Sequence, residues 1–328
     1  MRRMVGESVG DVPHGDGPRA VSVSLGSRRR DYQVAVCLLD QVVRLERQGC
    51  DGDVEEAERR IAALDGQADA IGLGGLDVYL YVAGDRYVVA DGERLLRVAK
   101  RTPVVDGSGL KATLEPSAVR WLAAHGPFAL TGAAVLMVSA LDRYGMAVAL
   151  EAAGCRVVYG DLMFGAGIPY PITSLPDLQR IARKLAREIT RLPVRLLYPT
   201  GQAQEQPSQE RFPEAYAQAD VIAGDFHLIR RYLPARLDGK AIVTNTTTRA
   251  DRADLAARGV RWLCTTTPLL AGRSLGTNAL EAAMLAARGP SSRGMERADF
   301  ESLLQAIDYR PEVLDLSSGA SWRPGNSG

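Results

Sequence analysis

The chain has 328 residues, and its charges nearly cancel, with 40 Lys plus Arg against 39 Asp plus Glu. This balance provides no strong positive field, so nucleic acid is not expected as a partner. Hydrophobic residues make up 46% and charged residues 24%, which suits a folded protein, and the length exceeds what one core usually fills. We therefore expect two folded domains.

Cysteine and histidine usage argues against disulfide bonds and a metal site. Four cysteines lie far apart without a Cys-x-x-Cys pair, and only three histidines are present. The pattern suits a reducing compartment. The longest apolar run, residues 128–141, is too short for a spanning helix, and the arginine-rich start lacks the apolar core of a signal peptide. The sequence predicts a cytoplasmic protein with no membrane partner.

Composition along the chain divides it into four regions. Residues 1–18 and 289–328 are rich in Gly, Pro, Ser and Arg and predict a flexible leader and a flexible tail. Between them, residues 19–127 predict an α/β substrate domain. Residues 128–288 predict a Rossmann-like nucleotide-binding domain.

The first domain mixes strands and helices. Alternating and apolar runs predict strands at 21–25, 32–38, 42–47, 70–73, 78–82, 86–90 and 104–105. Helical spacing of apolar residues predicts helices at 53–64, with Asp53 as the N-cap, and at 110–124.

The second domain alternates short apolar strands with helices. Strands are predicted at 134–139, 156–159, 194–198, 220–223, 241–244 and 260–264. Helices are predicted at 143–153, 175–190, 213–218, 228–233, 249–257 and 278–287. This order indicates a doubly wound parallel sheet with helices on both faces. Ligands of such sheets bind beyond the carboxyl ends of the strands, so the loops there are the candidate sites.

The loop from Ser139 to Gly145 occupies the position of a dinucleotide-binding loop. Of the three glycines expected there, only Gly145 is present. Asp142 falls where the backbone should approach a pyrophosphate, and Arg143 partly offsets its charge. Asp161 follows the next strand, where a carboxylate usually binds ribose hydroxyls. Either a nucleotide binds here, or the sheet retains a modified loop.

Later strand ends add further polar candidates. Asp225 and His227 follow the fourth strand as an acid/base pair, unless Asp225 only caps the next helix. Threonine runs follow the fifth and sixth strands and include Thr246 and Thr266, which we assign to cofactor binding. Helix capping explains part of these runs equally well.

The first domain contains its own candidate in the loop from Asp106 to Lys111. Its glycines let backbone amides converge on an anion, Ser108 adds a hydroxyl, and Lys111 adds a charge. Lys111 and Asp106 form a candidate proton-transfer pair, although a simple turn with a surface lysine explains the run as well.

Substrate binding draws on two more loops. Arg273, in a glycine-flanked loop before the last helix, is placed to clamp a carboxylate through two parallel hydrogen bonds. We add Asn278 from the same loop and Ser24 from a Ser-Leu-Gly-Ser turn in the first domain.

These runs together resemble bacterial quinate 5-dehydrogenases. The resemblance covers about residues 20–288 and is carried by six runs. They are Ser-Val-Ser-Leu-Gly-Ser from Ser22, Gly-Leu-Gly-Gly-Leu-Asp from Gly72, Thr-Pro-Val-Val-Asp-Gly-Ser-Gly-Leu-Lys from Thr102, Gly-Asp-Phe-His from Gly224, Thr-Asn-Thr-Thr-Thr from Thr244 and Gly-Arg-Ser-Leu-Gly-Thr-Asn from Gly272.

The resemblance implies NAD(P)-linked oxidation of a ring hydroxyl on a carboxylated cyclohexane. The related quinate/shikimate dehydrogenases carry a glycine-rich cofactor loop, an Asn-Thr-Asp-Gly run and a lysine–aspartate catalytic pair. This chain lacks the first two, so Lys111 and Asp106 correspond to that pair by position only.

The sequence therefore favours an NAD(P)-dependent oxidoreductase acting on a small carboxylated metabolite such as quinate or shikimate. The alternative is a non-redox enzyme or a ligand-binding protein for a phosphorylated or carboxylated metabolite on the same scaffold. The expected cofactor is NAD or NADP, the expected partner is a small hydroxy acid, and a homo-oligomer is left open.

Overall fold

The fold was examined in a computed structural model. It describes residues 17–82, 85–193, 209–270, 273–289 and 295–324. Most of the predicted leader and the predicted strand at 194–198 lie outside these ranges. Among the described residues, the strands form two larger sheets, one of five strands and one of seven, and two small two-stranded sheets.

The first sheet has the strand order β2-β3-β1-β4-β7. Its strands are β1 (Arg19–Ser24), β2 (Tyr32–Leu38), β3 (Gln41–Gly49), β4 (Ala70–Gly74) and β7 (Val104–Val105). The hairpin partners β2 and β3 are antiparallel, and all other neighbours are parallel. A separate hairpin joins β5 (Tyr79–Val82) to β6 (Asp85–Val88). The predicted strands are confirmed to within a few residues.

Helices from both halves of the chain cover the first sheet. One face packs against α1 (Val54–Leu64) and lies near α2 (Ala90–Leu96), a helix that the sequence analysis missed. Helix α1 begins at the expected N-cap, because the side chain of Asp53 accepts a hydrogen bond from the amide of Glu56. The other face packs against α3 (Ser108–His125) and two helices from the end of the chain.

The second sheet has the order β16-β15-β12-β11-β10-β8-β9. The strands β8 (Ala134–Met137), β9 (Arg156–Tyr159), β10 (Val221–Ala223), β11 (Ala241–Thr244) and β12 (Trp262–Thr265) are mutually parallel. Strands β15 (Glu312–Asp315) and β16 (Ala320–Ser321) continue it antiparallel. A short hairpin pairs β13 (Leu269–Leu270) with β14 (Arg273–Ser274). The Rossmann-like parallel sheet is thus confirmed, with its switch of strand order between β8 and β10.

The helices of the second half follow the prediction closely. They are α4 (Tyr144–Ala152), α5 (Leu175–Ile189), α6 (Pro213–Gln218), α7 (Phe226–Tyr232), α8 (Arg249–Ala257) and α9 (Thr277–Arg288). Helix α9 does not stay with its own sheet. Its buried alanine, leucine and methionine side chains pack on β1, β3 and β4 of the first sheet.

The prediction of a flexible tail is wrong for residues 295–324. Helix α10 (Arg297–Ala306) buries Phe300, Leu303 and Leu304 in the core under the first sheet, and β15 pairs with β12. Polar composition at the end of the chain concealed a short amphipathic helix and a strand. Across the described ranges, no helix has both the length and the apolar character needed to cross a membrane.

Candidate functional site

A small polar cavity, here called the cleft, lies where the two sheets face each other. It has a volume of about 140 Å³, less than the roughly 300–1,000 Å³ of pockets for drug-sized ligands. Its walls come from the carboxyl ends of β1, β4 and β7 and from those of β8, β10 and β11. Ten of the predicted site residues line it: Ser24, Asp106, Lys111, Asp142, Arg143, Asp225, His227, Thr246, Arg273 and Asn278.

Lys111 forms its ion pair with Asp77 and not with Asp106. Its ammonium nitrogen lies 2.7 Å from Asp77 Oδ1, and both side chains are largely buried. Burial raises the pKa of Asp77 to about 6 against the opposing effect of Lys111. Burial alone would lower the pKa of Lys111, but Asp77 keeps it above its usual value. The lysine is therefore charged beside a carboxylate that titrates near neutral pH.

Asp106 has a structural task instead. One carboxylate oxygen accepts hydrogen bonds from the amides of Val78 and Tyr79, at 2.7 and 3.1 Å. The other accepts from the amide and the hydroxyl of Ser108, at 3.0 and 2.6 Å. The predicted Lys111–Asp106 pair is therefore wrong, and the Ser108 hydroxyl is held by Asp106 outside the cleft.

A second carboxylate caps the same helix end. Glu281, buried on α9, accepts a hydrogen bond from the amide of Leu110 at 3.1 Å. Burial, with Asp106 nearby, raises the pKa of Glu281 to about 8. The start of α3, which carries Lys111, is thus held from both halves of the chain.

Close backbone packing explains the glycines of the Gly-Leu-Gly-Gly run. A Cβ on Gly72 would lie 2.6 Å from the carbonyl oxygen of Asn278, and one on Gly107 would lie 2.6 Å from the amide nitrogen of Asn278. Gly107 also has a φ of 88°, which favours glycine. These glycines let the N-terminus of α9 reach the sheet, where the Asn278 side chain donates to Ser22 at 2.7 Å.

Arg143 is buried among three carboxylates. It contacts Glu115 of α3, lies 2.9 Å from Asp225 and lies 3.6 Å from Asp142. Burial raises the pKa of Glu115 to about 7, although Arg143 opposes the shift. Three partners for one guanidinium leave this part of the cleft wall rich in negative charge.

Asp225 and His227 do not form the predicted acid/base pair. Asp225 caps α7 by accepting from the amide of His227 at 2.9 Å, and it also binds Arg143 and Asn245. Despite burial, Arg143 holds the pKa of Asp225 well below its usual range. Burial beside Arg30 lowers the pKa of His227 to about 4, so the imidazole is neutral. The capping alternative accounts for Asp225.

The other part of the cleft carries three arginines. Arg30 is 3.1 Å from Asp251, and Arg47 is 2.7 Å from Asp31 and 2.9 Å from the Ser24 hydroxyl. Arg273 lies over the ring of Tyr32, 5.0 Å from its centroid, and donates to the backbone oxygen of Arg30 at 2.7 Å. These bonds connect the chain between β1 and β2 to β14.

The order of strands separates the two charged ends of the cleft. In the first sheet, Tyr32 and Arg47 belong to β2 and β3, whereas Asp77 and Asp106 follow β4 and β7. Strand β1 lies between these two pairs. At about 4.8 Å per strand spacing, Arg47 and Asp77 are roughly 10 Å apart across the sheet. The cleft is therefore positive at one end, and it carries the lysine–aspartate pair at the other.

The predicted dinucleotide loop is closed by its own contacts. The Ser139 hydroxyl donates to Asp142, and Asp161 accepts from the amides of Ala140 and Leu141 at 3.0 and 2.9 Å. Burial raises the pKa of Asp161 to about 7, against the effect of these amides. The ribose role predicted for Asp161 and the pyrophosphate role of the Ser139–Gly145 loop are therefore not supported.

Neighbouring segments cover the rest of that crevice. Gly145 packs against α3, where an added Cβ would lie 3.2 Å from Pro116 Cγ. After β9 the chain makes one π-helical turn (Asp161–Gly165) and returns, so that Ile172 bridges to Tyr159. The residues at this crevice do not fit NAD or NADP.

The two threonine runs have different positions. Thr246 lines the cleft, whereas Thr266 is fully buried, and its backbone oxygen accepts from the Tyr309 hydroxyl at 2.7 Å. The predicted cofactor role of Thr266 is wrong. Thr247 binds Ser274 at 2.8 Å, and Thr248 caps α8. Among the described residues, no group of three or more His, Cys, Asp or Glu side chains is placed to hold a metal ion.

A larger groove adjoins the cleft. It has a volume of about 1,130 Å³ and runs along α3, α4 and the start of α10. Small side chains of α3 and α4 line most of it. It meets the cleft at Lys111, Asp142 and Arg143, which belong to the walls of both.

The sequence analysis did not assign a site role to Asp77, Glu115, Tyr32, Arg30 or Arg47. Two of them had a usable signal. Asp77 follows β4, so the rule of strand carboxyl ends applies to the first sheet as well as to the second. Glu115 lies four residues after Lys111, on the same face of α3.

Family models match most of the chain. One described as Domain of unknown function (DUF8754) matches residues 109–316, and one described as Domain of unknown function (DUF8753) matches residues 19–106. The chain belongs to the DUF8754 family. The two matches meet just before α3, ahead of the predicted boundary at 127, and the DUF8754 match extends through β15.

Solved structures similar to this DUF8754 protein are distant. They include glutamate dehydrogenase from Thermus thermophilus (15% identity, TM-score 0.40, 89% of this chain and 74% of that chain). A dipicolinate synthase chain from Bacillus halodurans has 11% identity and a TM-score of 0.28 over 89% and 99% of the two chains. GanP, a glucose-galactose binding protein from Geobacillus stearothermophilus, has 10% identity and a TM-score of 0.38 over 92% and 99%. No curated protein matches the sequence.

Proposed function

We propose that the protein is an enzyme that binds a small hydroxylated carboxylate in the cleft and transfers a proton at one of its hydroxyl groups. The observation that supports this most directly is the Lys111–Asp77 pair, 2.7 Å apart at the wall of a small polar cavity. A simple surface lysine would lie in solvent, whereas Lys111 is largely buried.

The two members of the pair have different tasks. Asp77, with a pKa of about 6, is a suitable general base near neutral pH and accepts the hydroxyl proton. The Lys111 ammonium stabilises the oxyanion that remains, because a fixed positive charge acts strongly in a site with little water. Asp106 and Glu281 position the helix start that carries Lys111.

The substrate class follows from the charges and from the volume. The arginine end of the cleft suits a carboxylate, and about 140 Å³ suits a compact ring or a short chain. Quinate and shikimate meet both requirements and are the first compounds to test, as the sequence resemblance also suggests.

The test combines binding and turnover. Calorimetry with quinate, shikimate and glucose 6-phosphate measures binding, and proton NMR follows conversion with and without NADP. We expect binding of a hydroxy acid, and we expect conversion to be lost in Lys111→Met and in Asp77→Asn. Lys100→Met, at an exposed lysine, is the matched control. Failure of every hydroxy acid to bind at millimolar concentration, or full turnover in both variants, contradicts the proposal.

NAD(P)-dependent oxidation of the same hydroxyl is a second candidate. The observation that favours it is the groove of about 1,130 Å³, which is large enough for a dinucleotide and meets the cleft at Lys111. The bound dinucleotide would supply the hydride acceptor, and Lys111 and Asp77 would keep the tasks given above. A dinucleotide would then lie along α3 and α4 instead of at the β8–α4 loop.

This candidate has a separate test. Val148, 41% exposed on α4, lines the groove, so Val148→Trp should weaken NADPH binding and leave quinate binding unchanged. NADPH fluorescence and calorimetry provide the measurement. If millimolar NADH and NADPH do not bind, the redox candidate is rejected, and the proton-transfer proposal still stands.

A further inference from the structure

Two polar atoms at the arginine end of the cleft are enclosed without a hydrogen-bond partner among the described residues. They are the hydroxyl oxygen of Tyr32 and Nδ1 of His227. Leaving a buried polar atom unsatisfied costs about 1–3 kcal/mol. Both residues line the cleft. Two such atoms from different domains at one end of a cavity point to a ligand group that satisfies them.

The contacts of His227 fix which of its nitrogens carries the proton. Its Nε2 lies 3.3 Å from a guanidinium nitrogen of Arg30, which can only donate. Nε2 therefore accepts, and because the ring is neutral its single proton is on Nδ1. His227 thus presents an N–H donor to the ligand and is not a base.

Tyr32 and Arg273 add donors at the same place. Burial raises the pKa of Tyr32 to about 12, so its hydroxyl keeps the proton. Arg273 stacks on that ring, and within the described ranges its guanidinium forms no ion pair with a carboxylate. Arg30 and Arg47 are different, because Asp251 and Asp31 already bind them.

We propose that Tyr32, His227 and Arg273 form an oxyanion subsite that binds the carboxylate of the ligand from both domains. The inference rests on the proposed function and defines the orientation of the ligand, with its anionic group at β2 and β14 and its hydroxyl at Lys111 and Asp77. A phosphate has the same acceptor chemistry. Side chains around the two enclosed atoms, first among them Arg273, move when the oxyanion enters.

Tyr32→Phe is the decisive variant. It removes an atom that has no partner in the fold, so the unfolding free energy should not decrease. The charge-assisted hydrogen bond to the ligand is lost, so affinity for quinate should fall about ten- to a hundredfold. Affinity for myo-inositol, a polyol ring without a carboxylate, should stay the same. Tyr309→Phe is the matched control, since that hydroxyl bonds a backbone oxygen away from the cleft.

Calorimetry with quinate, myo-inositol and inorganic phosphate separates the outcomes. A selective loss of quinate or phosphate affinity in Tyr32→Phe and in Arg273→Met supports the subsite. Phosphate binding that depends on Tyr32, without binding of any hydroxy acid, keeps the subsite but rejects the proposed substrate class. Normal quinate binding and turnover in Tyr32→Phe, or no binding of quinate or phosphate by the unmodified protein, overturns the subsite.

Discussion

Glu281 makes the stability of the fold depend on pH in a way that a single substitution can isolate. The side chain is 4% exposed, and burial raises its pKa from 4.5 to about 8. The unfolded chain releases this proton near pH 4.5, whereas the folded chain holds it until about pH 8. The folded state is therefore favoured below pH 4.5, and this contribution is lost as the pH rises to about 8.

The size of the effect follows from the two pKa values. The difference between 4.5 and about 8 corresponds, at about 1.4 kcal/mol per pKa unit, to about 5 kcal/mol above pH 8. Glu281→Gln removes the ionisation and keeps an oxygen that accepts from the Leu110 amide. We expect the variant to be several kcal/mol more stable than the unmodified protein at pH 8.5, and within about 1 kcal/mol of it at pH 5.

Urea unfolding at pH 5.0, 6.5 and 8.5 measures this difference. Glu301→Gln, at a more exposed carboxylate of α10 paired with Arg297, is the matched control and should show little dependence on pH. The reasoning is refuted if Glu281→Gln and the unmodified protein lose the same stability between pH 5.0 and 8.5.

Three further predictions concern stability. Glu115→Gln removes a partner of the buried Arg143 and should cost about 3–5 kcal/mol in urea unfolding; a loss below 1 kcal/mol would contradict the buried pair. Gly72→Ala places a Cβ 2.6 Å from a backbone oxygen and should lower the melting temperature by several degrees, whereas Gly165→Ala, with open space around it, should not; equal effects would argue against close packing of α9. Phe300→Ala should cost about 3–5 kcal/mol, because its ring is buried under the first sheet; an unchanged urea midpoint would restore the flexible-tail interpretation.

Local patterns predicted the secondary structure well where one element has one strong signal. The spacing of Ala57, Ile61 and Leu64 with the cap at Asp53 defined α1, and the apolar runs defined each described strand of the parallel sheet. The C-terminal segment failed because its short helix owes its stability to contacts with a distant sheet. Composition carries no information about such contacts.

The location of the site could be predicted, but its pairs could not. Strand order brings the carboxyl ends together, so Lys111, Arg273 and Thr246 were expected to share a crevice, as the cleft confirms. The partner of Lys111 depends on how the loop after β4 folds relative to α3, which spacing along the chain does not encode. Asp106 was the nearer residue in sequence, but backbone amides already occupy it.

Helix α9 has a consequence for biosynthesis. The sheet formed by the first hundred residues presents one apolar face that only this helix and its neighbours cover. The ribosome makes that helix about 180 residues later, a delay of roughly 10–40 s at ~5–20 residues per second. During this interval the nascent N-terminal half exposes an unprotected hydrophobic surface. Its folding in the cell therefore depends on chaperone binding until the later segment emerges.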